Sequence, residues 1–115
     1  MSQPGTQQRN RRIASRQKPK GSTKVTCHKG LLGLGPNLAV SLLDLSETGV
    51  RLVVKSALEK GQEIEIGLLG LNHPRPIKLP AVVAWSVPAA DGTYCLGARF
   101  QKRLTYGDFL QLAVR

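Results

Sequence analysis

The sequence predicts a mainly β protein: a small six-stranded antiparallel β-barrel with a flexible basic N-terminal arm and a C-terminal α-helix. Three observations predict it. Between residues 22 and 101, short runs alternate apolar and polar residues and are separated by Gly, Pro and Asn turn signals. Tyr106, Phe109, Leu110 and Ala113 then fall at i, i+3, i+4 and i+7, the spacing of one helix face. The basic residues are unevenly placed: residues 1–29 hold eight of the 17 Lys and Arg and no acid.

Each element follows in turn. Residues 1–10 are polar and Gln-rich and read as disordered. Residues 11–21 carry arginines and end in Lys18-Pro19-Lys20-Gly21, a loop signal. Ser22–His28 alternates, with Val25 and Cys27 on one face. Gly30, Gly33, Gly35, Pro36 and Asn37 mark a loop before a second strand, Leu38–Leu45. Ser46–Gly49 is a turn, and Val50–Lys55 sets Val50, Leu52 and Val54 against Arg51, Val53 and Lys55. After a turn at Glu59-Lys60-Gly61, Gln62–Leu69 sets Ile64, Ile66 and Leu68 against Glu63, Glu65 and Gly67. A loop over Gly70–Arg75 leads to the long strand Ile77–Val87, and Asp91-Gly92 signals a hairpin. Thr93–Gln101 follows, with Tyr94, Leu96, Ala98 and Phe100 on one face and Gly97 and Arg99 on the other. Thr105 is placed to cap the final helix, with Asp108 at the capping-box position. Short antiparallel strands and one terminal helix imply a barrel that the helix plugs or flanks.

A chain of 115 residues fits one domain over residues 11–115, with 11–21 as its arm. From residue 30 onward nine basic residues face seven acidic ones, so the net charge of +10 belongs mainly to the arm. Such an arm attracts anions. No stretch is long and apolar enough to span a membrane, and a cytoplasmic location is expected. Cys27 and Cys95 lack metal-ligand spacing and read as free thiols, so no metal is expected. His28 and His73 are isolated, and no nucleophile–base set assembles. Gly33-Leu34-Gly35-Pro36 lacks the third glycine and following helix of a nucleotide fingerprint. An enzyme is not expected.

Two short patterns carry chemistry. Arg12 and Arg16 stand four apart on the arm. Their planar guanidinium groups match phosphate oxygens and the O6/N7 edge of guanine. Taken alone, the pair reads more readily as a solvated basic tail. After 27 intervening residues comes Asp44-x-Ser46-x-x-Gly49. A carboxylate accepts two N–H bonds from a guanine Watson–Crick edge, and a hydroxyl beside it donates or accepts. Gly49 permits the positive φ of a tight turn. Alone, this half reads as turn chemistry. Strict alternation would put Val40 and Leu42 on the same face as Asp44 and Ser46, so a bulge or a cover over that face is required.

Together the halves resemble the PilZ domain, a bacterial receptor module for cyclic di-GMP, whose pattern is RxxxR followed by (D/N)xSxxG. The strand ending in Trp85 and the Gly97-Ala98-Arg99-Phe100 strand before the helix extend the resemblance over residues 11–114. The resemblance implies that Arg12 and Arg16 contact phosphate and guanine, that Asp44 and Ser46 hold a guanine edge, and that Gly49 shapes the turn. Arg11, just before the motif, is compatible with a stacked pair of ligands. Trp85 borders the site in this family, although its parity with Ile77, Leu79, Ala81 and Val83 equally suits core packing. Gly97 would keep the outer face open for a base, and Arg99 would add charge or be ordinary barrel surface. The implied protein is a non-catalytic receptor with cyclic di-GMP as ligand and no cofactor, acting through a downstream protein partner or self-association. Two rivals stand beside it: a basic barrel binding RNA or single-stranded nucleic acid, and a PilZ-like interaction module that binds no nucleotide. The first is disfavoured by having only Trp85, Tyr94, Tyr106, Phe100 and Phe109 as aromatics, most on core faces. The second is disfavoured by the intact motif.

Overall fold

The computed structural model describes residues 16–113, so the expectations for Arg11, Arg12 and a disordered 1–10 segment lie outside the described residues. Six strands and one helix follow in order: β1 (Lys24–Lys29), β2 (Ala39–Leu45), β3 (Gly49–Val54), β4 (Glu63–Leu69), β5 (Ile77–Pro88), β6 (Tyr94–Phe100) and α1 (Tyr106–Leu112). Every predicted element is present, with ends shifted by one or two residues. Alternation was informative because each strand packs one face on a common core and leaves the other in water.

The strands form one antiparallel sheet in the order β1-β4-β5-β6-β3-β2. The sheet curls until its end strands meet, giving a nearly closed barrel. At the seam, the Leu38 N–H donates to the Cys27 carbonyl at 2.8 Å. Asn37 Oδ1 accepts from the Cys27 and Ala39 N–H groups at 2.9 and 3.0 Å, stitching β1 to the start of β2. The core is aliphatic: Leu45, Leu52, Ile64, Ile66, Leu68, Leu96 and Leu112 are fully buried. Cys27 lies among them, and burial pushes its thiol up to about 11.

α1 begins where the sequence placed it. The Thr105 hydroxyl accepts from the Asp108 N–H at 3.1 Å, which satisfies one of the orphan donors of a helix start. Its buried stripe is narrower than predicted. Phe109 and Leu112 are buried, but Tyr106, in the first turn, is exposed. Ala113 follows the helix end and is buried.

The described part of the arm lies along the barrel. Gln17 exchanges two backbone hydrogen bonds with Leu45, each 2.9 Å. Further on, the Lys20 N–H and the Thr23 hydroxyl both donate to the Leu112 carbonyl at 2.8 Å. Residues 17–23 therefore form a strap running from the end of β2 to the C-terminal end of α1.

Candidate functional site

The outer faces of four neighbouring strands bring together Asp44, Arg51, Gly97 and Trp85. The pairings run Asp44↔Arg51 across β2 and β3, Arg51↔Gly97 across β3 and β6, and Gly97↔Trp85 across β6 and β5. Three inter-strand spacings separate the ends of this row, roughly 14 Å. Arg99 lies two residues along β6, opposite Gly49 and Val82, and is exposed.

Register shifts in two strands create the row. β2 shifts register between Ala39 and Ser41 and again between Leu42 and Asp44. This supplies the required bulge: Asp44 faces the outer row while Leu45 turns into the core. β5 shifts register between Val83 and Trp85. Val83 is buried, yet Trp85 emerges on the outer face at 36% exposure. Of the two readings of Trp85, core packing and border of a site, the bulge removes the first by turning the ring outward. A one-residue slip exchanges the faces of a strand, so a bulge does so for every residue beyond it.

Asp44 is 7% exposed and both oxygens of its carboxylate are engaged. Arg16 donates to Oδ1 at 3.1 Å. Arg51 donates through Nε to Oδ2 at 2.7 Å and also through its terminal nitrogen. The hydrogen bonds from Arg51 to Asp44, then their mutual attraction, hold the guanidinium even further above its usual range. Arg51 was not singled out from the sequence. The signal was available: a four-residue turn between Asp44-Leu45 and Val50-Arg51 places positions 44 and 51 opposite each other.

Ser46 carries the turn chemistry read from this half of the motif, while Gly49 serves the turn for a reason other than the one expected. The Ser46 hydroxyl accepts from the Thr48 and Gly49 N–H groups, both at 3.2 Å, and bonds the Thr48 hydroxyl at 3.2 Å. It is 2% exposed and holds the turn. Gly49 is not among the residues at positive φ. Its necessity is spatial: a Cβ there would sit 2.6 Å from the Ala98 carbonyl oxygen on β6. The absence of a side chain at Gly97 makes room for the indole of Trp85, whose ring nitrogen and adjacent carbons a Cβ would strike. Gly97 thus seats the indole instead of leaving bare floor. The platform available to a ligand is the outer surface of that ring.

Chemically, the row joins an acceptor pair, three guanidinium groups counting Arg16 and Arg99, and one indole plane. That set suits a planar, hydrogen-bond-donating base bearing phosphate. Among the described residues no group of His, Cys, Asp and Glu could hold a metal ion. No helix among them is long and apolar enough to cross a membrane.

The sequence matches the PilZ domain family across residues 8–113. The chain belongs to the PilZ domain family. No curated protein matches it. In this PilZ domain the match spans every strand, α1 and both halves of the motif. PilZ domains form a family of cyclic di-GMP receptors, which places this chain in a receptor class.

Proposed function

We propose that this PilZ domain is a non-catalytic receptor for cyclic di-GMP, and that Arg16 is its moving part. One observation supports the reading above others: Arg16 reaches from the arm to the same carboxylate that would take the guanine edge. A carboxylate has about four acceptor positions. Arg51 takes two on Oδ2 and Arg16 takes one on Oδ1. Guanine N1–H and N2–H need two, so one arginine must yield. Arg51 rises from β3, whereas Arg16 stands on the arm at the start of the strap and is half-exposed. Arg16 therefore passes to a ligand phosphate, joined by Arg12, while Arg51 keeps Asp44 aimed. Trp85 supplies a stacking plane, and Arg99 adds charge beside it.

Closure has a mechanical outlet. The arm continues into the strap that ends on the Leu112 carbonyl. Displacing Arg16 pulls on Gln17 and, through it, on the end of α1. A protein partner, or a second copy, would sense that change.

Titration calorimetry of the whole chain with cyclic di-GMP, cyclic di-AMP, GTP and a short RNA tests the proposal. Micromolar or tighter binding to cyclic di-GMP alone is expected. Arg12→Ala and Arg16→Ala should each weaken it about ten- to a hundred-fold. No heat with cyclic di-GMP would sink the receptor reading, and equal binding to RNA would favour a general nucleic-acid surface.

A further inference from the structure

The seam of the barrel is open over part of its length. β1 and β2 are the two end strands of the sheet, and among the described residues no ladder joins them. At one end they are tied through Asn37 and the Cys27–Leu38 bond. At the other end the strap crosses, bonded to β2 through Leu45. Between those ties, among the described residues, no backbone hydrogen bond joins β2 to β1 or to the strap.

Main-chain groups face that opening. β1 pairs with β4 without a register shift, so its residues alternate between facing β4 and facing the seam. Cys27 faces the seam, since its N–H meets Asn37 and its C=O meets Leu38. Val25, two residues away, turns its N–H and C=O the same way, and neither has a partner among the described residues. A strand edge with free donors and acceptors is a template for another extended chain. The opening is a groove of about 530 Å³, walled on one side by the strap and the start of β1 and on the other by Ala39–Leu42 of β2. Those β2 residues span about 10 Å, the length of three or four extended residues.

Side chains add a preference. Lys20 and Lys24 line the groove, and among the described residues no carboxylate does. Val40, 52% exposed, and the half-buried Leu42 give it an apolar wall. We propose that this groove docks an acidic, extended segment of a partner protein, whose main chain pairs with the open edge while its carboxylates meet Lys20 and Lys24. Charge selects against the chain itself as occupant. Residues 1–15 hold three arginines and no acid, so they would bring like charge to the two lysines. A second copy laid edge to edge would set the lysine pair against its own image. Single-stranded nucleic acid needs aromatic planes to stack on, and no aromatic residue lines the groove. A peptide pairs a strand edge through its main chain and reads the walls with alternate side chains. No residue of the row from Asp44 to Trp85 lines the groove, so its occupation requires no nucleotide.

Fluorescence anisotropy of the full chain with a labelled short peptide alternating glutamate with valine tests this. A dissociation constant on the order of 10–100 µM is expected for so small a contact. Lys20→Glu and Lys24→Glu should each weaken binding about three- to ten-fold, the range for a surface ion pair lost and reversed. Lys60→Glu is the control: it lies in the β3–β4 turn, outside the groove, and binding should persist. Two further peptides carry methyl groups on alternate main-chain nitrogens, in the two possible phases. The phase that blocks the paired edge should lose binding about ten-fold or more. Amide NMR shifts should move in residues 19–25 and 39–42. Binding weaker than about 1 mM, equal binding of a peptide alternating lysine with valine, or parent-like binding by both methylated peptides would each overturn the proposal. So would amide shifts centred elsewhere, an equal effect of Lys60→Glu, or tighter binding of a short single-stranded RNA to the same residues, which would assign the groove to nucleic acid.

Discussion

Replacing Arg51 with Met removes one guanidinium from Asp44 while keeping most of the side-chain length. In the folded chain Asp44 presents a side chain only 10% exposed, and Arg51 one that is 44% exposed. A fully buried pair that loses one member costs about 3–5 kcal/mol, because the remaining charge is stranded. A fully exposed pair is worth about 0–1 kcal/mol. Here the carboxylate is buried but its partner is half in solvent, and Arg16 still faces Oδ1 at 3.1 Å. The expected loss is therefore about 1–2 kcal/mol, between the two limits. For a domain of this size that lowers the thermal midpoint by roughly 5–10 °C. Urea denaturation of wild type, Arg51→Met, Asp44→Asn and the double variant forms a thermodynamic cycle. It should return a coupling of about 1 kcal/mol. In titration calorimetry, Arg51→Met should also bind cyclic di-GMP about ten-fold more weakly, since Asp44 loses the group that aims it. A coupling below about 0.3 kcal/mol, within ordinary additivity, would refute the idea that Arg51 holds Asp44. Normal coupling with unchanged ligand binding would instead confine Arg51 to stability.

Three further outcomes are expected. Gly49→Ala should cost about 1–3 kcal/mol in urea denaturation, because its Cβ meets the immobile Ala98 carbonyl at 2.6 Å; an unchanged midpoint would show that β3 and β6 can part freely there. Burial raises the Cys27 thiol from 9.0 to about 11, so the unfolded chain releases its proton before the folded chain does. Stability should then be complete below pH 9 and fall by about 2–3 kcal/mol by pH 11, and Cys27→Ala should remove that part of the slope. Cys95 sits on the outer face, one pleat from Gly97 and opposite Val53 and Val87, whereas Cys27 is fully buried. In native protein a thiol reagent should modify Cys95 well before Cys27, and saturating cyclic di-GMP should slow it; modification indifferent to ligand would place the nucleotide elsewhere.

Much of the architecture was legible because it rests on local rules. Val50, Leu52 and Val54 point inward because alternation and burial coincide along β3. Thr105 caps α1 because its hydroxyl reaches a nearby N–H. The motif residues were legible as types, since arginine, aspartate and glycine are few enough in pattern to be found by spacing. Their tasks were less so. Ser46 reads alone as a turn residue and, through the family resemblance, as a ligand contact, and its hydrogen bonds to Thr48 and Gly49 display the turn role. Gly49 was given a dihedral reason when the real constraint is a carbonyl on another strand.

The sequence by itself determined six strands, one helix, a basic arm and the two halves of the PilZ motif. These depend on neighbours a few residues apart, or on residue identity alone. The tertiary structure decided which strands adjoin, and through the bulges in β2 and β5 it decided which way Asp44 and Trp85 face. It also seated the indole on Gly97 and joined Arg16 and Arg51 to one carboxylate. Those outcomes turn on register, and register is a property of two strands together. A shift of one residue leaves composition and spacing unchanged while moving every later side chain to the opposite face.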